Sequence, residues 1–158
     1  MQPDSCFYLH LVESEHTAFT LVLSHEAQQF APFWPAKYAM IEHKVVDDPA
    51  QQWTYDEKTG AIKNIADGSF LDFDYGWAMA AKISNSTNVS EAFPKTPREW
   101  FYDPVSQELR TNVDGVQTSL ATLGQPKNWG QVQITPSNGL AGHDNGRWRV
   151  EYCYSVRG

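Results

Sequence analysis

Apolar positions along this chain come in short bursts separated by polar ones, and the bursts are rich in Val, Ile, Thr, Phe, Tyr and Trp. Clusters of Gly, Pro, Asn and Asp punctuate them, which is the pattern of strands divided by turns. The pattern predicts strands over residues 6–13, 18–23, 39–46, 53–56, 62–65, 70–73, 78–84, 100–103, 109–113, 116–121, 131–135 and 148–154. No segment sustains an apolar rhythm of 3.6 residues. Ser24 to Phe30 suits a turn of helix, which Pro32 and Pro35 would end. The expectation is an all-β chain of about a dozen short strands.

Internal repetition sharpens this picture. Trp53 opens Trp-Thr-Tyr-Asp, Trp100 opens Trp-Phe-Tyr-Asp and Trp148 opens Trp-Arg-Val-Glu, at intervals of 47 and 48 residues. Each run suits a strand that buries alternate side chains. Nine residues after the first two come Ile62-Lys63-Asn64 and Leu109-Arg110-Thr111, and eight after the third comes Val156-Arg157. The remaining tryptophans, Trp34, Trp77 and Trp129, precede the first set by 19, 23 and 19 residues. Three units, approximately 5–57, 58–104 and 105–158, are implied within a single domain. Each unit is too small to bury its own apolar face, so the three must share one core. Closing the sheet into a barrel also removes exposed strand edges.

In a closed arrangement the first and last strands are neighbours, and Cys6 and Cys153 lie in them. In an oxidising compartment a bridge between them would contribute ~4–5 kcal/mol in the chain-entropy model. Reduced, they are two small apolar groups. Both readings are open at this stage.

Among known families, the repeats resemble the ricin B-type lectins, whose fold is the β-trefoil with three pseudo-symmetric repeats of about four strands each. Their hallmark is Gln-x-Trp near the end of each repeat. Gln51-Gln52-Trp53 matches it fully, while Arg98-Glu99-Trp100 and Gly146-Arg147-Trp148 keep the tryptophan. Gly68-Ser69-Phe70-Leu71-Asp72-Phe73 is similar to the family's Gly-Lys-Cys-Leu-Asp-Val stretch, with Phe70 in place of cysteine. The resemblance implies a non-enzymatic module that binds glycans or glycoproteins through shallow, weak pockets acting multivalently, with no cofactor. The family pocket uses an Asp in the second strand of the repeat, an aromatic platform, and an Asn three residues before the repeat tryptophan. Asp72 matches the Asp in the second unit, with Val22 and Ala121 near that place in the others. Asn145 matches the Asn in the third, where the others have Ala50 and Pro97.

The residues themselves supply suitable chemistry. A sugar ring needs a flat aromatic face for its C–H side and a carboxylate or amide for its hydroxyl protons. Asp72, Asp74, Tyr75 and Trp77 offer both within six residues, with Gly76 suited to a hairpin turn. Trp129 and Asn145 form a second candidate. The other reading makes Trp34, Trp77 and Trp129 a structural layer closing one end of the barrel, while Trp53, Trp100 and Trp148 belong to the core.

Charge and the remaining motifs narrow the alternatives. A net charge of −7 without a basic stripe argues against nucleic acid. No window approaches the ~18 apolar residues of a membrane helix. The N-terminus lacks the basic opening of a classical signal peptide, so the expectation is cytoplasmic or non-classical export. The five histidines show no metal-ligand spacing, and only His143 is retained as a binding contact. Ser24-His25-Glu26 are sequence neighbours, which on a strand face opposite ways and do not make a triad. Two glycosylation sequons, at Asn85 and Asn88, mark an exposed loop. Two alternatives to a lectin stay open. One is a protein-binding trefoil similar to the fungal cysteine-protease inhibitors, gripping its partner through residues 24–37. The other is a subunit of an assembly, including a homo-oligomer.

Overall fold

The computed structural model describes residues 5–12, 21–25, 36–74, 77–81, 98–122, 130–136 and 146–153, of which 21–25, 36–38, 74, 77–81, 130–131 and 135–136 are described in backbone alone. Twelve strands account for most of them: β1 (Phe7–Leu11), β2 (Leu21–His25), β3 (Ala36–His43), β4 (Trp53–Asp56), β5 (Ala61–Asn64), β6 (Phe70–Asp74), β7 (Trp77–Ala81), β8 (Phe101–Asp103), β9 (Glu108–Val113), β10 (Val116–Thr122), β11 (Gly130–Pro136) and β12 (Trp148–Tyr152). Each falls within a few residues of an expected strand. Ser24 and His25 end β2 instead of opening a helical turn, while Pro49–Gln51 form a short 3-10 turn capped by Asp48.

Six strands close a barrel. The antiparallel pairs β4–β5, β8–β9 and β12–β1 are joined in turn by Phe7 paired with Trp53, by Trp100 N–H to the Gly60 carbonyl at 2.8 Å, and by Trp148 N–H to the Gln107 carbonyl at 2.7 Å. Three hairpins, β2–β3, β6–β7 and β10–β11, form the second layer. Their returning strands pair with one another in a ring, Tyr38 with Met79, Trp77 with Gln133, and Gln131 with Met40. This is a β-trefoil.

The threefold relation is visible atom by atom. Trp53, Trp100 and Trp148 are completely buried in one core with Leu9, Ile62 and Leu109. Trp100 Nε1–H donates to the Leu71 carbonyl and Trp148 Nε1–H to the Leu120 carbonyl, each at 2.9 Å. Such bonds remove the cost of burying an indole N–H.

Two of the barrel hairpins turn by the same device. Gly60 N–H reaches the Asp56 carbonyl and Gln107 N–H the Asp103 carbonyl, both at 2.7 Å. Each Asp also accepts from the backbone two residues on, at Lys58 and Val105. Gly60 (φ 72°) and Gln107 (φ 61°) take the left-handed conformation that closes the turn. A Cβ on Gly60 would meet Glu99 Cγ at 2.5 Å, so this station also needs the space. The third hairpin has no turn at all. There Cys153 N–H donates to the Cys6 carbonyl and a disulfide joins the two residues across 5.4 Å between Cα atoms.

Two sequence-based equivalences are corrected by the ladders. Lys63 and Arg110 correspond to His10, because Tyr55 faces Ile62, Tyr102 faces Leu109 and Val150 faces Leu9. The third basic station therefore lies at the start of the chain, not at Val156-Arg157, which lie outside the described residues. Likewise, the ring of returning strands puts Trp77 at the station of Tyr38 and Gln131. Trp34, Trp77 and Trp129 thus do not form one equivalent set.

Candidate functional site

The candidate site lies on the β6–β7 hairpin. Asp74 pairs with Trp77 across the ladder, and Asp72 pairs with Met79. Alternation puts Asp72 and Asp74 on one face of β6 and Phe73 on the other. Tyr75, Trp129, Asn145 and His143 lie outside the described residues, as do the 26–35 segment and both sequons; for Asp74 and Trp77 the backbone positions alone are described.

Asp72 is buried. It is only 3% exposed, and its Oδ1 accepts from Phe73 N–H at 2.8 Å and from Arg98 Nε at 3.1 Å. A carboxylate this deep would be costly unpaired, and the guanidinium offsets that cost. β5 pairs with β6 only at Phe70, and among the described residues no strand pairs with that edge beyond it, where Arg98, two residues before the core Trp100, lies. Its guanidinium carbon sits 4.3 Å from the centre of the Phe73 ring. Arg98 is thus pinned by a carboxylate and an aromatic face. It occupies the first position of the second Gln-x-Trp-like triplet, whose degeneracy hid its role.

Its counterpart in the first unit behaves differently. Gln51 is fully buried and purely structural. Its Nε2 donates to Glu42 Oε1 at 3.0 Å and to the His43 carbonyl at 2.8 Å, while its Oε1 accepts from Val45 N–H. The ladders also relocate the first-unit counterpart of Asp72. His10 faces Val22, Lys63 faces Phe70 and Arg110 faces Ser119, so Asp72 corresponds to Ala121 and to Ser24, two residues beyond Val22.

A second titratable cluster lies at the β1–β12 seam. His10 is 2% exposed, with Nε2 3.1 Å from Glu151 Oε1, and neither ring nitrogen completes a hydrogen bond. Lys44 also pairs with Glu151 and lies 4.6 Å from the centre of the Tyr8 ring. Burial lowers the pKa of His10, opposed by Glu151 and reinforced by Arg149 and Lys44. Burial alone would raise that of Glu151, but the hydrogen bond from Lys44 and the close approach of His10 outweigh it and hold it below the ordinary value. The same diagonal recurs as Arg110 with Asp103 at 3.3 Å, which identifies His10–Glu151 as the structural acid–base pair of its hairpin. Among the described residues no group of three His, Cys, Asp or Glu side chains is placed to hold a metal, and no helix is long and apolar enough to cross a membrane.

Comparison with known proteins follows the fold. The chain is similar to the β-trefoil lectin domain of the Vibrio vulnificus hemolysin/cytolysin, solved with N-acetyl-D-lactosamine bound, at a TM-score of 0.65 and 13% identity over 96% of each chain. It is similar also to the mdaA-1 domain, solved in solution, at a TM-score of 0.65 and 12% identity over 94% of this chain and 90% of that one. No family model matches the sequence. No curated protein matches it either.

Proposed function

We propose that this β-trefoil is a carbohydrate-binding, non-enzymatic module of the ricin B lectin type. Its principal pocket is formed by Asp72, Asp74, Tyr75 and Trp77 on the β6–β7 hairpin, and a weaker one by Trp129 and Asn145. The observation that carries this reading is the end-to-end similarity to a trefoil lectin solved with a disaccharide bound. In the principal pocket Asp72, immobilised by Arg98, forms the floor, and Trp77, in register with Asp74, supplies the aromatic platform. A shallow pocket of millimolar affinity is worth only ~4 kcal/mol, so useful binding requires several sites on a multivalent glycan.

A glycan array probed at high protein concentration tests the reading. Binding that disappears in Trp77→Ala while the melting temperature holds supports it. Silence across the array overturns it.

A further inference from the structure

We propose that Arg98 makes the β6 edge a receptor for an acidic sugar, one bearing a carboxylate or sulfate group. The inference rests on the glycan-binding reading and specifies the ligand class for that site.

Of the Asp72–Arg98 pair, the group left accessible at this edge is the donor and not the acceptor. Asp72 is almost wholly enclosed, with Oδ1 committed to Arg98 Nε and to Phe73 N–H. The arginine side chain is 29% exposed, and among the described residues nothing accepts a hydrogen bond from Nη1 or Nη2. A guanidinium has five N–H donors and no acceptor capacity. With Nε committed and the side chain partly exposed, the four terminal N–H groups are the donors that remain for a ligand.

The guanidinium is already oriented. The contact with Phe73 and the bond to Asp72 fix the guanidinium from two directions. Holding a flexible side chain before the ligand arrives removes part of the ordering cost of binding. A planar fork matches two oxygens of a carboxylate or sulfate, and charge-assisted bonds of this kind are about twice as strong as neutral ones. Neutral sugar hydroxyls gain less here, because a hydroxyl is served best by a site that both donates and accepts. The adjacent acid, Glu99, packs over Gly60. The equivalent Gln51 is fully buried, so the device exists in the second unit and not in the first.

Long-range attraction plays no part, since the chain carries a net charge of −7. The preference arises from short-range contact and survives physiological salt, where screening acts over ~8 Å.

The test is titration calorimetry on the whole chain with three probes, namely lactose, 3′-sialyllactose and lactose 6′-sulfate. The expected result is that at least one acidic probe binds about tenfold or more tighter than lactose in 0.15 M salt. Preference for the sialylated probe alone identifies a carboxylate ligand, and preference for both a general anionic group. In Arg98→Gln the ratio of acidic to neutral affinity collapses towards one. Should that variant fail to fold, the pair Asp72→Asn with Arg98→Gln removes both buried charges together and must show the same collapse. Lactose binding as tightly as the acidic probes, or a ratio unchanged without Arg98, overturns the proposal and leaves the glycan reading standing. Silence with all three probes and across the array overturns both.

Discussion

Trp100 donates its indole N–H to the backbone carbonyl of Leu71 at 2.9 Å, tying the entry to β8 onto β6 through the centre of the core. Trp148 repeats the relationship with Leu120. Trp100→Phe keeps most of the ring but orphans a buried carbonyl, which costs about 1–3 kcal/mol. Trp100→Ala adds a cavity and costs about 3–5 kcal/mol. Urea denaturation reads both values, and Trp148 is expected to follow the same ranking. A Phe variant as stable as the parent chain would contradict this account of the bond.

Asp72 and Arg98 are expected to behave as a coupled pair. Arg98→Ala strands a buried carboxylate, at a cost towards the lower end of ~3–5 kcal/mol because the arginine is partly exposed. Asp72→Asn combined with Arg98→Gln removes both charges and recovers much of the loss. A double-mutant cycle by chemical denaturation measures the coupling, and simple additivity would argue against it.

The disulfide spans 147 residues of chain. In the chain-entropy model such a closure is worth about 5 kcal/mol. Reduction, or Cys6→Ser with Cys153→Ser, is therefore expected to lower the melting temperature while leaving the strand content by far-UV circular dichroism intact. Mass spectrometry of the alkylated chain before and after reduction checks the pairing itself.

Acid is expected to destabilise the fold through the β1–β12 seam. The folded-state pKa of His10 lies below its ordinary value of 6.5, so the unfolded chain binds the proton more readily. The corresponding stability is complete above that pH and is lost as the pH falls through the ordinary value towards the folded one. Glu151, held below its ordinary value of 4.5, extends the loss to lower pH. Melting temperatures measured from pH 8 to pH 4 should decline below about 6.5, and His10→Gln should flatten the first part of that decline. An unchanged slope in His10→Gln would assign the acid sensitivity elsewhere.

The fold was largely legible in the chain because Trp53, Trp100 and Trp148 are large, evenly spaced and stand at or just before the start of β4, β8 and β12. What resisted reading follows from the geometry of a closed ring. His10 matches Lys63 and Arg110 only once the first strand is placed beside the last, and a linear scan runs off the end at Val156-Arg157. Ser24 stands at the Asp72 station because the units differ in loop length, which shifts any match by spacing by two residues. The same unequal lengths made Trp34, Trp77 and Trp129 resemble a series. Arg98 is not legible in the chain because its partner lies 26 residues away, and the contact is made only when the edge of β6 meets residues 98–100.

The bond between Cys6 and Cys153 stands where the two sister hairpins carry a four-residue loop. Topologically the barrel is thus a circle cut at one of three interchangeable seams. A rearranged gene that fuses residue 153 to residue 5 through an Asp-initiated, Gly-terminated linker, begins instead at Lys58 and carries Ser at positions 6 and 153 should yield the same architecture without any cystine. Its design would only move the gap from one seam to the next.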